Sequence, residues 1–135
     1  MPSNPAFAPH DRTKQVFAVT LFVDDLAATE RFYHDVFGMP LVDKQRDAVA
    51  YRFPNLVVNL LLASSAPELV APAPVGGPGT EARALLTLEV DDVDAFAAHL
   101  RALGVRVLNG PTERPWGSRT MTFADPSGHC WELSS

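Results

Sequence analysis

The chain has 135 residues, of which 47% are hydrophobic and 20% charged, and its formal net charge is −5. That composition is ordinary for one folded domain with a sizeable core and excludes a disordered chain. The acidic balance argues against nucleic acid, which is bound by neutralising phosphates with a basic face, and no run approaches the ~20 apolar residues of a membrane span.

Residues 1–10 contain three prolines and no charged segment followed by an apolar one, so they read as a loose tail and not as a signal peptide. Residues 16–23 alternate as a strand. Phe17, Val19, Leu21 and Val23 form one face; Ala18, Thr20 and Phe22 form the other. Asp24 or Asp25 can cap the helix that follows, where Leu26, Thr29, Phe32, Tyr33, Val36 and Phe37 recur at helical spacing. Gly38 supplies a stop and Pro40 prevents resumption. Residues 41–42, 49–53 and 56–62 read as three further strands. A stretch rich in proline and glycine, 66–80, reads as a linker.

The pattern then repeats. Residues 83–90 alternate, with Leu85 and Thr87 on one face and Leu86 and Leu88 on the other. Val90-Asp91-Asp92-Val93 mirrors Val23-Asp24-Asp25-Leu26, and a second helix ends at Gly104. Strands are expected over 105–108, 119–124 and 129–133, the last two joined by an Asp125-Pro126-Ser127-Gly128 turn of type I character. Each copy is β-α-β-β-β. One cysteine, Cys130, excludes an internal disulfide and a zinc site built on several thiolates. It fits a reducing, cytoplasmic setting.

Three pieces of this repeat resemble the vicinal oxygen chelate superfamily of glyoxalase I, extradiol dioxygenases, and fosfomycin- and bleomycin-resistance proteins. They are Val23-Asp24-Asp25-Leu26 running to Arg31-Phe32-Tyr33, then Phe37-Gly38-Met39, and Asp125-Pro126-Ser127-Gly128-His129 running to Trp131-Glu132-Leu133. The resemblance implies an α+β fold in which two β-α-β-β-β modules form a cup-shaped incomplete barrel with helices on the convex side. It implies a single domain over 1–135, with module one at about 14–65, the linker at 66–80 and module two at about 81–135.

In metal-dependent members, four side chains inside the cup hold one divalent ion. The matching positions here are Ala18, Asn59, Leu85 and Glu132, so two have no donor atom and Glu132 alone matches the family's ligand type. The expectation is therefore a metal-free, cofactor-free protein of the bleomycin-resistance type, with binding favoured over catalysis. It would sequester an aromatic or cationic drug or metabolite, as in antibiotic resistance. The alternative is a metal-dependent, glyoxalase-like lyase or isomerase, or a dioxygenase-like enzyme.

The implied inward face gives Thr20, Phe22, Asn59, Leu61, Leu85, Thr87 and Glu132 as candidate ligand-binding residues, joined by Arg119 as a cation that could reach Glu132 and by Trp116 on a Pro-Trp-Gly loop as a stacking platform. Glu132 would meet a ligand cation, act as a base, or pair with Arg83 or Arg119. The four histidines are expected on the tail, on solvated helix faces (His34 and His99) and in the turn (His129), away from the cup. Drug-binding relatives imply a homodimer in which module one of one chain completes the cup with module two of the other.

Overall fold

The computed structural model describes residues 7–135; of the tail expected over 1–10, residues 1–6 lie outside the described residues. A single helical turn, α1 (Pro9–Arg12), buries nothing. Module one then runs β1 (Ala18–Val23), α2 (Leu26–Phe37), β2 (Leu41–Lys44), β3 (Ala48–Arg52) and β4 (Val57–Leu62). A 3-10 turn (Ala63–Ser65) ends module one, and the linker adds α3 (Pro67–Val70), which proline at the first helical position favours. Module two runs β5 (Leu85–Glu89), α4 (Val93–Ala102), β6 (Arg106–Glu113), β7 (Arg119–Ala124) and β8 (Cys130–Ser134).

The two modules have the same topology. The sheet orders are β1-β4-β3-β2 and β5-β8-β7-β6, with β1 parallel to β4 and β5 parallel to β8. A parallel neighbour needs a crossover, and α2 and α4 supply it. Both helices start alike: Asp25 Oδ1 accepts from Ala28 N at 3.0 Å and Asp92 Oδ1 from Ala95 N at 3.1 Å, satisfying amides that have no partner inside the helix. Neither sheet closes, so the fold is α+β, a cup-shaped incomplete barrel with helices on its convex side.

Alternation along each strand divides the residues between the two sides. Leu21, Val23, Val58, Leu60, Met121, Phe123, Trp131 and Leu133 are all buried and form the core under the helices. That core is common to both modules. Phe37 of α2 packs on Trp131 of β8 with ring centroids 4.7 Å apart, and Phe53 stacks on Trp131 at 5.7 Å. Such aromatic burial is the largest favourable term available to a small fold.

β6 is longer than the 105–108 expected. Its pairing with β7 shifts register between Val107 and Asn109 and again between Asn109 and Thr112, and these irregularities carry the strand past Gly110 and Pro111 to Glu113. At Gly110 φ is +88°, and a β-carbon there would lie 2.5 Å from the Thr120 carbonyl oxygen and 2.9 Å from Met121 Cα. Only glycine allows the two backbones to approach this closely.

Candidate functional site

The strand register puts the expected inward residues on the faces opposite the helices. In sheet one, Thr20 lies beside Asn59 and Phe22 beside Leu61. In sheet two, Leu85 lies beside Cys130 and Thr87 beside Glu132. Each module therefore presents one equivalent polar pair. Asn59 Nδ2 donates to Thr20 Oγ1 at 3.4 Å, and Thr87 Oγ1 donates to Glu132 Oε1 at 3.0 Å. The surroundings are open and of mixed polarity: Leu85 is 51% exposed, Ala18, Thr20 and Thr87 are exposed, and Val57 and Leu61 are nearly covered. Thr20 and Phe22 also line a cavity of about 660 Å³ between β1 and the linker, whose far wall includes Pro74, Arg83 and His129.

Arg119 does not belong to this face. It stands opposite Glu113 in the ladder, on the same side of β7 as Met121 and Phe123, which is the helix side. There its Nε donates to Asp94 Oδ2 of α4 at 2.7 Å and its Nη1 to Glu113 Oε1 at 3.3 Å. The hydrogen bond from Arg119 holds the Asp94 carboxyl below the usual carboxylate range. Arg119 thus bridges β7, α4 and β6, and it does not neutralise Glu132.

Arg114, which the strand alternation gave no reason to single out, occupies the concave side instead. Its Nε donates to Thr120 Oγ1 at 2.8 Å and its Nη2 to Asn109 Oδ1 at 3.0 Å. Thr120 is the cross-strand partner of Ser134, and Asn109 pairs with Thr122, itself the partner of Glu132. The same guanidinium lies 6.0 Å from the ring centroid of Trp116, which is 71% exposed at the β6–β7 hairpin tip. Because its backbone bulges, β6 does not keep a simple two-residue alternation, and that irregularity hid Arg114 from a reading of the sequence.

A buried network ties the two modules behind the cup. Tyr33 of α2 donates its hydroxyl to Asp125 Oδ2 at 2.7 Å and accepts from Trp131 Nε1 at 3.0 Å. Asp125 Oδ1 accepts from the backbone amides of Ser127 and His129, both at 2.9 Å, which shapes the turn leading into β8. Burial, and then the Asp125 charge, push the Tyr33 phenol well above its ordinary pKa.

His129, expected as a turn or surface residue, approaches the Phe22 carbonyl at 2.7 Å through Nε2. A carbonyl can only accept, so that nitrogen carries the hydrogen. His99, expected on a solvated face, is exposed but also closes on the Asp35 and Val36 carbonyls at the end of α2, at 3.0 and 3.1 Å. Both histidines join one module to the other.

The side chains do not fit a tightly held divalent ion. Of the four positions matching the family's metal ligands, Ala18 and Leu85 have no donor, the Asn59 amide is turned to Thr20, and Glu132 is the one carboxylate. A second copy of the chain brings the same four side chains, so exchange of modules between copies does not enlarge the set. Among the described residues, no three His, Cys, Asp or Glu side chains converge.

Two repeated modules, an open cup and polar pairs at matching places in both halves define the glyoxalase-type β-α-β-β-β fold. The comparisons agree with this class. Residues 15–133 match the family model of the Glyoxalase/Bleomycin resistance protein/Dioxygenase superfamily, and the chain belongs to that superfamily.

Among solved structures, it is similar to a glyoxalase-related enzyme from Fulvimarina pelagi, with 30% identity and a TM-score of 0.78 over 90% of this chain and 88% of that one. It is also similar to a lactoylglutathione lyase from Agrobacterium tumefaciens, with 27% identity and a TM-score of 0.73 over 90% and 93%. The Bacillus subtilis (strain 168) protein YraH is 25% identical over 123 residues, which is 88% of this chain and 96% of YraH. No helix among the described residues is long and apolar enough to cross a membrane.

Proposed function

We propose that this protein binds a small planar molecule in its cup without a resident metal ion, in the manner of the bleomycin-resistance branch of its superfamily. The observation that carries this reading is Trp116, a large aromatic side chain 71% exposed at the tip of the hairpin that also carries Arg114. An indole exposed to water gains both burial and stacking when a flat ligand arrives. Glu132 accepts from Thr87 and keeps further acceptor capacity for a donor group on the ligand. The two emptied metal positions support binding over catalysis.

In one chain the concave strands β1 and β5 stay exposed, so we further propose a homodimer in which facing modules from two copies close each cup. The reading also expects a cytoplasmic protein, as the lone Cys130 suggests.

A metal-dependent lyase is the second reading. Glu132 at a ligand position and the likeness to the Agrobacterium lyase favour it. Melting curves with and without Ni²⁺, Zn²⁺, Mn²⁺ and Fe²⁺ separate the two. Binding without catalysis expects no shift from any ion, and a roughly three- to tenfold loss of affinity for planar compounds in Trp116→Ala. A metal-induced rise of several degrees that Glu132→Ala abolishes would sink it in favour of the lyase.

A further inference from the structure

We infer that the ligand carries an acidic group on its planar body and that Arg114 receives it. This rests on the cup being a ligand site, and it sets the charge of what the cup takes.

Two of the guanidinium's N–H groups are spent on Thr120 Oγ1 and Asn109 Oδ1, both neutral acceptors. Among the described residues, the salt bridges join Lys44 to Glu30 and Arg119 to Asp94 and Glu113; none involves Arg114. The side chain is therefore fixed in place while its charge is unanswered. The end-on fork of Nη1 and Nη2 is left to donate, which is the geometry that grips a carboxylate through two parallel hydrogen bonds. Fixing the fork in advance removes most of the entropy cost of holding a long side chain at the moment of binding.

The neighbours define what accompanies the acid. Trp116 lies beside the same guanidinium, so an anion at the fork brings its attached ring near the indole. Thr120 pairs with Ser134 and Thr122 with Glu132, which sets the Arg114 anchor two residues along the strand from Glu132, about 7 Å. At that spacing the carboxylate forms no ion pair with the cation, and the gap matches one aromatic ring with an acid at one end and a hydrogen-bond donor at the other. The chain's net charge of −5 works against an anionic ligand at long range. The local geometry outweighs it, because exposed charges on the helix faces are screened within about 8–10 Å while Arg114 is in direct contact with the site.

The test uses matched probes that differ only in charge: 2-naphthoate and 2-naphthamide, titrated calorimetrically into wild type, Arg114→Gln and Trp116→Ala. Wild type is expected to bind naphthoate roughly tenfold or more tighter than naphthamide. Arg114→Gln should bring that ratio to about one, with naphthoate losing most of its affinity. Trp116→Ala should weaken both probes alike.

Equal affinity for the two probes in wild type, with dependence on Trp116 intact, overturns the acid assignment and leaves the cup reading standing. Equal weakening of both probes by Arg114→Gln shows that Arg114 only orients Trp116 and overturns it too. Binding of neither probe overturns this inference and counts against the cup reading beneath it. Should Arg114→Gln fail to fold, the wild-type ratio decides, together with the Arg114 Nε–H resonance. That signal must shift with naphthoate and not with naphthamide, and its failure to do so is an overturning result.

Discussion

At the scale of the residue, the best-connected polar group is Tyr33. Its hydroxyl serves Asp125 and Trp131 at once, so Tyr33→Phe strands a buried indole N–H and removes one donor from a buried carboxylate. The expected cost is about 1–3 kcal/mol, read as a drop in urea midpoint at unchanged slope. The phenol's raised pKa adds a pH signature. A folded-state pKa above the unfolded value of 10.0 contributes stability that is fully present below pH 10 and is lost as pH rises through the folded value. The alkaline limb of wild-type melting temperature above about pH 10 should therefore be steeper than that of Tyr33→Phe. Equal limbs would show that Tyr33 does not govern it. Tyr51, raised to a lesser degree by burial and by Glu30 and Asp35, contributes to both proteins and so drops out of the comparison.

At the scale of the element, the β6–β7 hairpin presents both Arg114 and Trp116, and it depends on Gly110. A β-carbon there meets backbone atoms of β7, which cannot move aside without breaking the ladder, and φ is already in the left-handed region. Gly110→Ala is expected to destabilise by about 2 kcal/mol or more and to lower affinity for planar ligands together with stability. Gly117→Ala has open space around its β-carbon and carries only the φ penalty of its loop, so its stability loss should be smaller. Thermal melts of the two variants, side by side, check the order. The strands themselves were largely legible, because a half-buried strand writes its two faces into alternate residues. β6 was legible only in part: its bulges break the alternation, and the glycine and proline that make them resemble a strand end.

At the scale of the whole molecule, one aromatic core joins the modules while the concave faces of β1 and β5 remain open. Leu85, 51% exposed on the β5 face, stays in water unless something covers it. Light scattering is expected to give a dimer at micromolar concentration, with ligand binding lost on dilution to monomer. A monomer that binds ligand with undiminished affinity would remove the facing-module arrangement.

The sequence by itself determined the repeat, the helix caps, the type I turn and the residue at each metal position, because these depend on neighbours along the chain. It also held an unread sign that Arg119 faces the helices, since Arg119 shares its side of the strand with Met121 and Phe123. Only the tertiary structure decided that Arg114 stands on the concave side, that His129 reaches the Phe22 carbonyl, and that Tyr33 meets Asp125 across 92 positions of chain. Those contacts arise from how two modules dock and how a bulged strand twists. Neither is fixed by local periodicity, because the free energy that selects them comes from burying surfaces distant in sequence against each other.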